Sequence, residues 1–266
     1  MISIVIVLCN SKEYINNCLQ SISNSFLKDI KYEILILNNN LSDNYLFNSK
    51  KYRIVKTSKN IGFSKAVNKL IKYAKGEHIF LLNPDVILER NTIFEMYQNI
   101  LKNDVSIVGC KIINADNSFQ ESSRRRFPHI NVLIKKIFSK TPLKVINSYN
   151  YFDVPIDNTC YVDSVSGACM LFKKTVFNQL SGFDERFFLY FEDTDFCIRA
   201  NKNNNKVLYL PFVRCKHIKY GSMNKKNYLF VKFHFYLSMC KFVFKYYYEY
   251  KLFFVFVFFL IIKIFI

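Results

Sequence analysis

Over the first ninety residues the apolar positions switch repeatedly between two spacings. Ile2 to Leu8 is a continuous run rich in β-branched residues, the pattern of a strand covered on both faces. Ile15, Leu19 and Ile22, with Cys18 beside them, then recur at helical spacing. YEILIL at 32–37 and YRIVK at 52–56 predict two further strands. SKAVNKLIKYAKG predicts a helix from the spacing of Val67, Leu70, Ile71 and Ala74, with Gly76 as its C-terminal stop. HIFLL at 78–82 predicts a fourth strand, which ends at Asn83-Pro84-Asp85. Strands alternating with helices imply a mainly parallel α/β sheet with right-handed crossovers. Ligands on such sheets gather beyond the carboxyl ends of the strands. Polar residues stand at those ends: Asn10, Asn38 to Asn40, and Asn83 to Asp85.

Downstream the pattern predicts a helix from Asn91 to Lys102, a strand from Val105 to Lys111 and an irregular stretch to about residue 160. SGACMLFKK then reads as a strand, TVFNQL as a short helix, Thr194 to Asn201 as a helix and NKVLYLP as a late strand. There is no internal repeat and no Pro/Gly/Ser linker. After residue 222 the character changes, and the closing stretch FVFKYYYEYKLFFVFVFFLIIKIFI is almost wholly aromatic and aliphatic. Its uninterrupted apolar run, Leu252 to Ile262, is shorter than the roughly 20 residues a helix needs to span a bilayer. Lys245, Lys251 and Lys263, with Tyr246 to Tyr248, give it the basic and aromatic flanks of an interfacial segment. A core or dimer-forming helix and a true span are the competing readings. The expected division is a folded α/β domain over 1–222 and a hydrophobic C-terminal helical segment over 223–266.

Composition changes this picture in two ways. The net charge of +18, from 38 basic and 20 acidic residues, suits polyanionic company such as nucleic acid, nucleotide phosphates or an anionic membrane face. It equally suits a compositional bias, since Lys far outnumbers Arg and Asn, Ile, Phe and Tyr are all plentiful. The eight cysteines are scattered, form no C-x-x-C pair and sit mostly in apolar runs. They read as small buried hydrophobes in a reducing, cytoplasmic compartment. MISIVIVLCN has no basic n-region and no small-residue cleavage site, so it reads as a buried strand and not a signal peptide.

SIVIVLCNS, ILILNNNLSDN, NIGFSKAVN, LLNPDV, FQESSRRRFP, SGACMLFKK, GFDERFFLYFEDTDFCIRA and HIKYGS follow one another along residues 2 to 222. In that order and spacing the chain resembles the family 2 glycosyltransferases, most of all the bacterial rhamnosyltransferase-like enzymes of surface polysaccharide assembly. The resemblance implies a GT-A fold, Rossmann-like and flanked by helices. It also implies a nucleotide-sugar donor (dTDP-rhamnose or a UDP-sugar), a divalent cation (Mg²⁺ or Mn²⁺) and inversion at the anomeric carbon. A lipid-linked saccharide acceptor at the inner face of the cell membrane would follow.

Such a transfer needs a held nucleotide diphosphate, charge compensation as it leaves, and a base for the acceptor hydroxyl. Asp85 suits the second need, because Pro84 fixes the turn and hard cations favour carboxylate and phosphate oxygens. Asn83 stands where many members carry the first Asp of D-x-D. His217 in HIKYGS matches a family histidine near metal and diphosphate, or is a structural histidine. The donor would lie over Leu8, Asn10, Asn38, Asn40, Asp43, Asn60, Gly62, Asn68, Asn83 and Asp85, with Gly62 letting backbone approach the ligand. Most members carry Asp where Asn38 stands; an amide carbonyl still accepts, with less charge assistance.

Glu192 and Asp193 answer to the family's E-D motif, with Asp193 as catalytic base and Glu192 as runner-up base or acceptor contact. Asp193 is expected near a helix N-cap, where the dipole keeps it ionised but weakens it as a base. Asp195 and Arg199, four apart, read as a structural pair. Phe187 in GFDERFF and Arg124 in the arginine triplet are candidate acceptor contacts, against core packing and a solvated loop respectively. A sugar nucleotidyltransferase of related fold would show a glycine-rich loop after the first strand, and LCNSKEY has no glycine. A nucleic-acid-binding module would show basic-aromatic motifs in place of the acidic pair, so nucleic acid is not expected as a partner.

Overall fold

A computed structural model of the chain describes residues 1–40, 51–138, 149–218 and 225–254. Asp43 and the expected division at 222/223 lie outside them. The strands are β1 (Ile2–Leu8), β2 (Tyr32–Asn38), β3 (Arg53–Lys56), β4 (His78–Leu82), β5 (Val86–Leu88), β6 (Ile107–Ile113), β7 (Arg124–Arg125), β8 (Cys160–Tyr161), β9 (Ser164–Val165), β10 (Cys169–Lys173) and β11 (Val207–His217). The helices are α1 (Lys12–Ser23), α2 (Phe63–Ile71), α3 (Thr92–Lys102), α4 (Ile130–Phe138), α5 (Lys174–Gln179), α6 (Glu192–Lys202) and α7 (Lys225–Tyr246).

The main sheet runs β3-β2-β1-β4-β10-β6-β11-β5, with β8 on the side of β11; β7 and β9 form a separate two-stranded ribbon. The first four strands in that order are parallel, as the alternation of strand and helix requires. β10 enters antiparallel between β4 and β6, and β11 then lies parallel to β6.

β1 shows why its sequence never breaks into polar residues. Ile2, Ile4, Ile6 and Leu8 point to the side covered by α1 and α3, and Val5 and Val7 to the side covered by α2. A strand sandwiched this way has no wet face, and each buried aliphatic contributes roughly 1.5–3 kcal/mol. The stripe of α1 (Ile15, Cys18, Leu19, Ile22) is buried as its spacing demands. All eight cysteines are free thiols. Cys110, Cys169 and Cys215 meet on three neighbouring strands within the same apolar core.

Several boundaries differ from expectation. α2 ends at Ile71, and Gly76 is no left-handed stop; a Cβ there would lie 2.6 Å from Ser3 N, so this glycine lets the chain pass against β1. β6 begins two residues late. β5, only three residues long, and the β7–β9 ribbon carry too little periodicity to be read from sequence.

A third apolar cluster joins α7 to the rest: Met239, Cys240, Phe242 and Val243 pack on Phe187, Phe191, Ile198, Ile130 and Leu133. Among the described residues no helix is long and apolar enough to cross a membrane. Tyr228, Leu229 and Phe230 at one end of α7, and Tyr248 and Leu252 beyond the other, are exposed.

Candidate active site

The parallel register sets Leu8 directly opposite Asn38, which brings the ends of β1 and β2 into one crevice. Asn39, between two of the expected donor residues, latches the crevice to the KNIGF loop. Its amide donates to Asn60 Oδ1 (2.9 Å) and Gly62 O (3.3 Å), and its carbonyl accepts from Ile61 N (3.0 Å) and Thr57 Oγ1 (3.2 Å). Asn38 Oδ1 accepts from Asn40 N (3.1 Å), an Asx turn. Asn40 Nδ2 donates to Asn10 Oδ1 (2.7 Å), and Asn10 holds left-handed backbone at φ 54°. The Asn-rich loops thus form one hydrogen-bonded rim around Leu8, Asn10, Asn38, Asn40 and Asn60.

β4 ends in the turn that Pro84 was expected to fix. Val86 N donates to Asn83 O (3.2 Å) with Pro84 at the second position. Asp85 Oδ1 lies 3.2 Å from His217 Nε2, because β5 and β11 pair antiparallel with His217 opposite Val86. His217 Nδ1 lies 3.1 Å from Gln120 Oε1, and Gln120 Nε2 donates to Ser122 Oγ (2.8 Å). An amide oxygen can only accept, so His217 Nδ1 is the donor in this contact. The ring so oriented turns Nε2 toward the Asp85 carboxylate oxygen. An imidazole nitrogen and a carboxylate oxygen facing each other suit a shared divalent cation, with the other ring nitrogen held as metal-ligating histidines hold it.

The acidic pair comes from the first turn of α6. Asp193 Oδ2 accepts from Arg125 (2.8 Å) and Gly167 N (3.0 Å), and Oδ1 from Thr194 N (2.7 Å) and Thr194 Oγ1 (3.3 Å). Burial by itself would raise its pKa, but the charge of Arg125 and these hydrogen bonds prevail and lower it. Glu192, 7 % exposed, is the opposite case. Burial first, then the neighbouring Asp193 charge, push it up to about 8, and its Oε2 has no hydrogen-bond partner among the described residues. Two adjacent carboxyls are driven apart, one ionised and one protonated at neutral pH.

The two acidic centres share a single strand entrance. Asn83 N donates to Ala168 O (2.9 Å), while Gly167, one residue earlier, donates to Asp193. A Cβ on Gly167 would come within 3.2 Å of Asp193 Cβ, so a glycine admits the carboxylate. The turn holding Asp85 and the turn holding Asp193 thus flank one dipeptide.

Three expectations need correction. Arg124 is fully buried, donating to Tyr151 O (3.1 Å) and Val154 O (2.6 Å) with its guanidinium 5.0 Å from the Tyr209 ring; it braces the core and faces no acceptor. Strand alternation sends its neighbour Arg125 to Asp193, and Arg126 pairs with Asp153. Phe187 is 1 % exposed in the α7 cluster and walls no sugar site. Asn68 is spent on the 183–185 loop, bonding Phe183 O (2.8 Å), Phe183 N (2.9 Å) and Glu185 (3.2 Å). Gly62, still a candidate donor contact, also makes room for Phe188: a Cβ there would lie 2.9 Å from Phe188 O. Arg125 was read only as part of the arginine triplet, and Gln120 and Gly167 were missed; each acts through phase or contact, which one sequence does not display.

The chain is 26% identical over 213 residues to the low-salt glycan biosynthesis hexosyltransferase of Haloferax volcanii, covering 76% of this chain and 62% of that protein. It is 25% identical over 146 residues to the rhamnosyltransferase WbbL of Escherichia coli, covering 54% of this chain and 53% of that one. It therefore spans between about half and two thirds of the length of these relatives. Among solved structures it is similar to S. aureus TarS (TM-score 0.59, 15% identity, 87% of this chain and 63% of that one). It is likewise similar to GalNAc-T7 with UDP, GalNAc and Mn²⁺ (TM-score 0.63, 15% identity, 82% and 44%). These likenesses establish a GT-A-like α/β fold, and the profile described as "Glycosyl transferase family 2" matches residues 3–180, so the chain belongs to that family.

Proposed function

We propose that this chain is an inverting glycosyltransferase that moves a sugar from a nucleotide-diphosphate donor, dTDP-rhamnose or a UDP-sugar, to a lipid-linked saccharide in surface polysaccharide assembly. One observation supports the reading: Asp193 accepts from Gly167 N, and Asn83, two residues before Asp85, donates to the adjacent Ala168 O, so the two acidic segments meet at one dipeptide.

In this reading the Asn39–Asn60 rim holds the nucleotide, and Asp85 with His217 would hold Mg²⁺ or Mn²⁺. That cation supplies charge compensation for the departing diphosphate. The acceptor oxygen bonds to the anomeric carbon as the bond to the diphosphate breaks on the opposite face, and Asp193 takes the hydroxyl proton. A carboxylate of lowered pKa suffices because the hydroxyl acidifies as it attacks. Neutral Glu192 beside it adds no second charge and can donate to the acceptor. The exposed Tyr228, Leu229, Phe230 and Leu252 support seating of the C-terminal segment on the cytoplasmic membrane face, where a lipid-linked acceptor lies.

Incubation with a panel of nucleotide sugars, Mg²⁺ or Mn²⁺ and a membrane lipid extract tests it. Donor-dependent release of nucleoside diphosphate is expected, abolished in Asp193→Asn and Asp85→Ala with folding intact. Transfer by Asp193→Asn at the wild-type rate would refute the base assignment.

A further inference from the structure

Tyr190 and Phe191 immediately precede Glu192, and both hold left-handed backbone, at φ 69° and 67°. Phe191 is the N-cap residue of α6, with no side-chain cap. Two successive bulky residues in this region are strained, and such a turn persists only where its surroundings over-determine it.

The surroundings come from α7. Phe235 meets the rings of Tyr190 and Phe191 at 5.5 and 5.6 Å, and Phe242 meets Phe191 at 5.2 Å. Ser238, Lys241 and Lys245 recur at helical spacing, three and then four apart, and all three bond the segment leading to α6. Ser238 Oγ donates to Leu189 O (2.8 Å), Lys241 Nζ to Arg186 O (2.7 Å) and Lys245 Nζ to Asp184 (2.7 Å). Lys245 also donates to Asp195, a fully buried carboxylate that takes further bonds from Tyr246 OH (2.7 Å) and Arg199 (2.8 Å). Asp195 N in turn donates to Phe191 O (2.8 Å), closing the loop on the strained turn.

Resting on the reading of Asp193 as base, we propose that α7 is a positioning element of the transfer site. Lys245, with Phe242 and Tyr246, clamps the 190–191 turn and the Asp195 carboxylate, and thereby fixes the direction of Asp193 two residues earlier. These side chains act through α6, not on the substrate. The C-terminal segment then orders the transfer site from behind α6.

The test uses the full chain and the variants Lys245→Met, Lys245→Arg and Tyr246→Phe, read by steady-state kinetics and amide hydrogen exchange. Lys245→Met is expected to lower kcat about tenfold with the donor KM changed less than about twofold. Lys245→Arg restores most of the loss, and Tyr246→Phe, which deletes a single hydroxyl, shows an intermediate fall. Amides 193–197 exchange about tenfold faster in Lys245→Met while those of α1 are unchanged.

In an active protein both signs are required. An unaltered kcat, a loss without local loosening, or a loss with faster exchange throughout overturns the proposal. If the wild-type chain releases no nucleoside diphosphate from any donor, the base reading fails on its own account. Exchange then decides the clamp, which stands if amides 193–197 loosen selectively and falls if they do not.

Discussion

Arg125 and Asp193, 68 residues apart in sequence, meet at 2.8 Å with both side chains nearly closed to solvent. The pair reconciles two demands on one carboxylate. Burial would protonate it, whereas a base must be ionised before its proton arrives. The guanidinium keeps it charged, and four donors fix its direction at some cost in basicity.

Removing Arg125 should therefore show a pH-dependent cost. The pKa of Asp193 in the folded chain is lowered, so its contribution is present at neutral pH and is lost as pH falls through that folded value. Arg125→Met is expected to destabilise by about 3 kcal/mol near pH 7, because it strands a buried charge. The cost should shrink toward zero as pH falls through the lowered folded value, where the carboxyl takes up its proton in either state. Thermal unfolding at a series of pH values checks it, with an expected drop of about 6–12 °C at neutral pH. A drop of equal size at every pH would mean that packing, not charge, is what Arg125 supplies.

Glu192 predicts the reverse slope. Its pKa in the folded chain is pushed up to about 8, so its stability is fully present below the unfolded value and is lost as pH rises to the folded one. Between roughly pH 4.5 and 8 the unfolded chain carries the charge while the folded chain holds the proton. Glu192→Gln keeps the shape and has no proton to lose. Its stability relative to wild type should climb across that window by about 5 kcal/mol and level off above it. Urea unfolding at pH 5, 6.5 and 8 measures the slope. A flat difference would show that Glu192 is ionised throughout.

The parts of this molecule legible in its sequence are those governed by periodicity. β1 matches its expectation residue for residue because both faces are buried, and α1 because its stripe spans a full heptad. The Asp195–Arg199 pair followed from helical spacing alone. What escaped depends on phase or on distant backbone. A triplet of arginines read as a ligand contact or a solvated loop gave no sign that one of them pairs with Asp193, since nothing in the sequence fixes the register of a two-residue strand. Gly62 and Gly76 were recognisable as special. Their partners, Phe188 and Ser3, lie far away in the chain, so neither contact was legible and the role of Gly76 was misassigned. Gln120 carries no signal at all until β11 returns His217 beside it.

Gly62→Ala tests the link between the donor rim and the aromatic loop. Gly62 has φ 83°, and an added Cβ would meet Phe188 O at 2.9 Å and the Phe188 ring at 2.7 Å. The ring can swing away, but the carbonyl is tied by its bond from Phe63 N (2.7 Å). A left-handed alanine plus a displaced loop should cost about 2 kcal/mol. It should also disturb the bond from Gly62 N to Asn60 Oδ1 (2.9 Å). Calorimetric titration with UDP and dTDP is expected to show weaker binding. Unchanged affinity would mean that the Asn60 rim does not contact the nucleotide.

Gln120 is the sharpest probe of the cation reading, because it touches neither nucleotide nor acceptor in that reading and lies behind His217. Its carbonyl holds the imidazole proton on Nδ1, leaving Nε2 free to face Asp85. Gln120→Leu keeps approximate volume and removes that acceptor, so the ring loses both orientation and tautomer. Loss of such an outer partner typically costs ten- to a hundredfold in metal affinity. Gln120→Glu retains an acceptor and adds negative charge behind the ring, which should preserve or tighten binding. Mn²⁺ titration followed by electron paramagnetic resonance, with UDP present, distinguishes the outcomes. Affinity that falls in Gln120→Leu and survives in Gln120→Glu makes His217 a ligand. Equal affinity in all three proteins would leave the cation to Asp85 and the diphosphate, with His217 reduced to a hydrogen-bonded strut between β11 and the Asp85 turn.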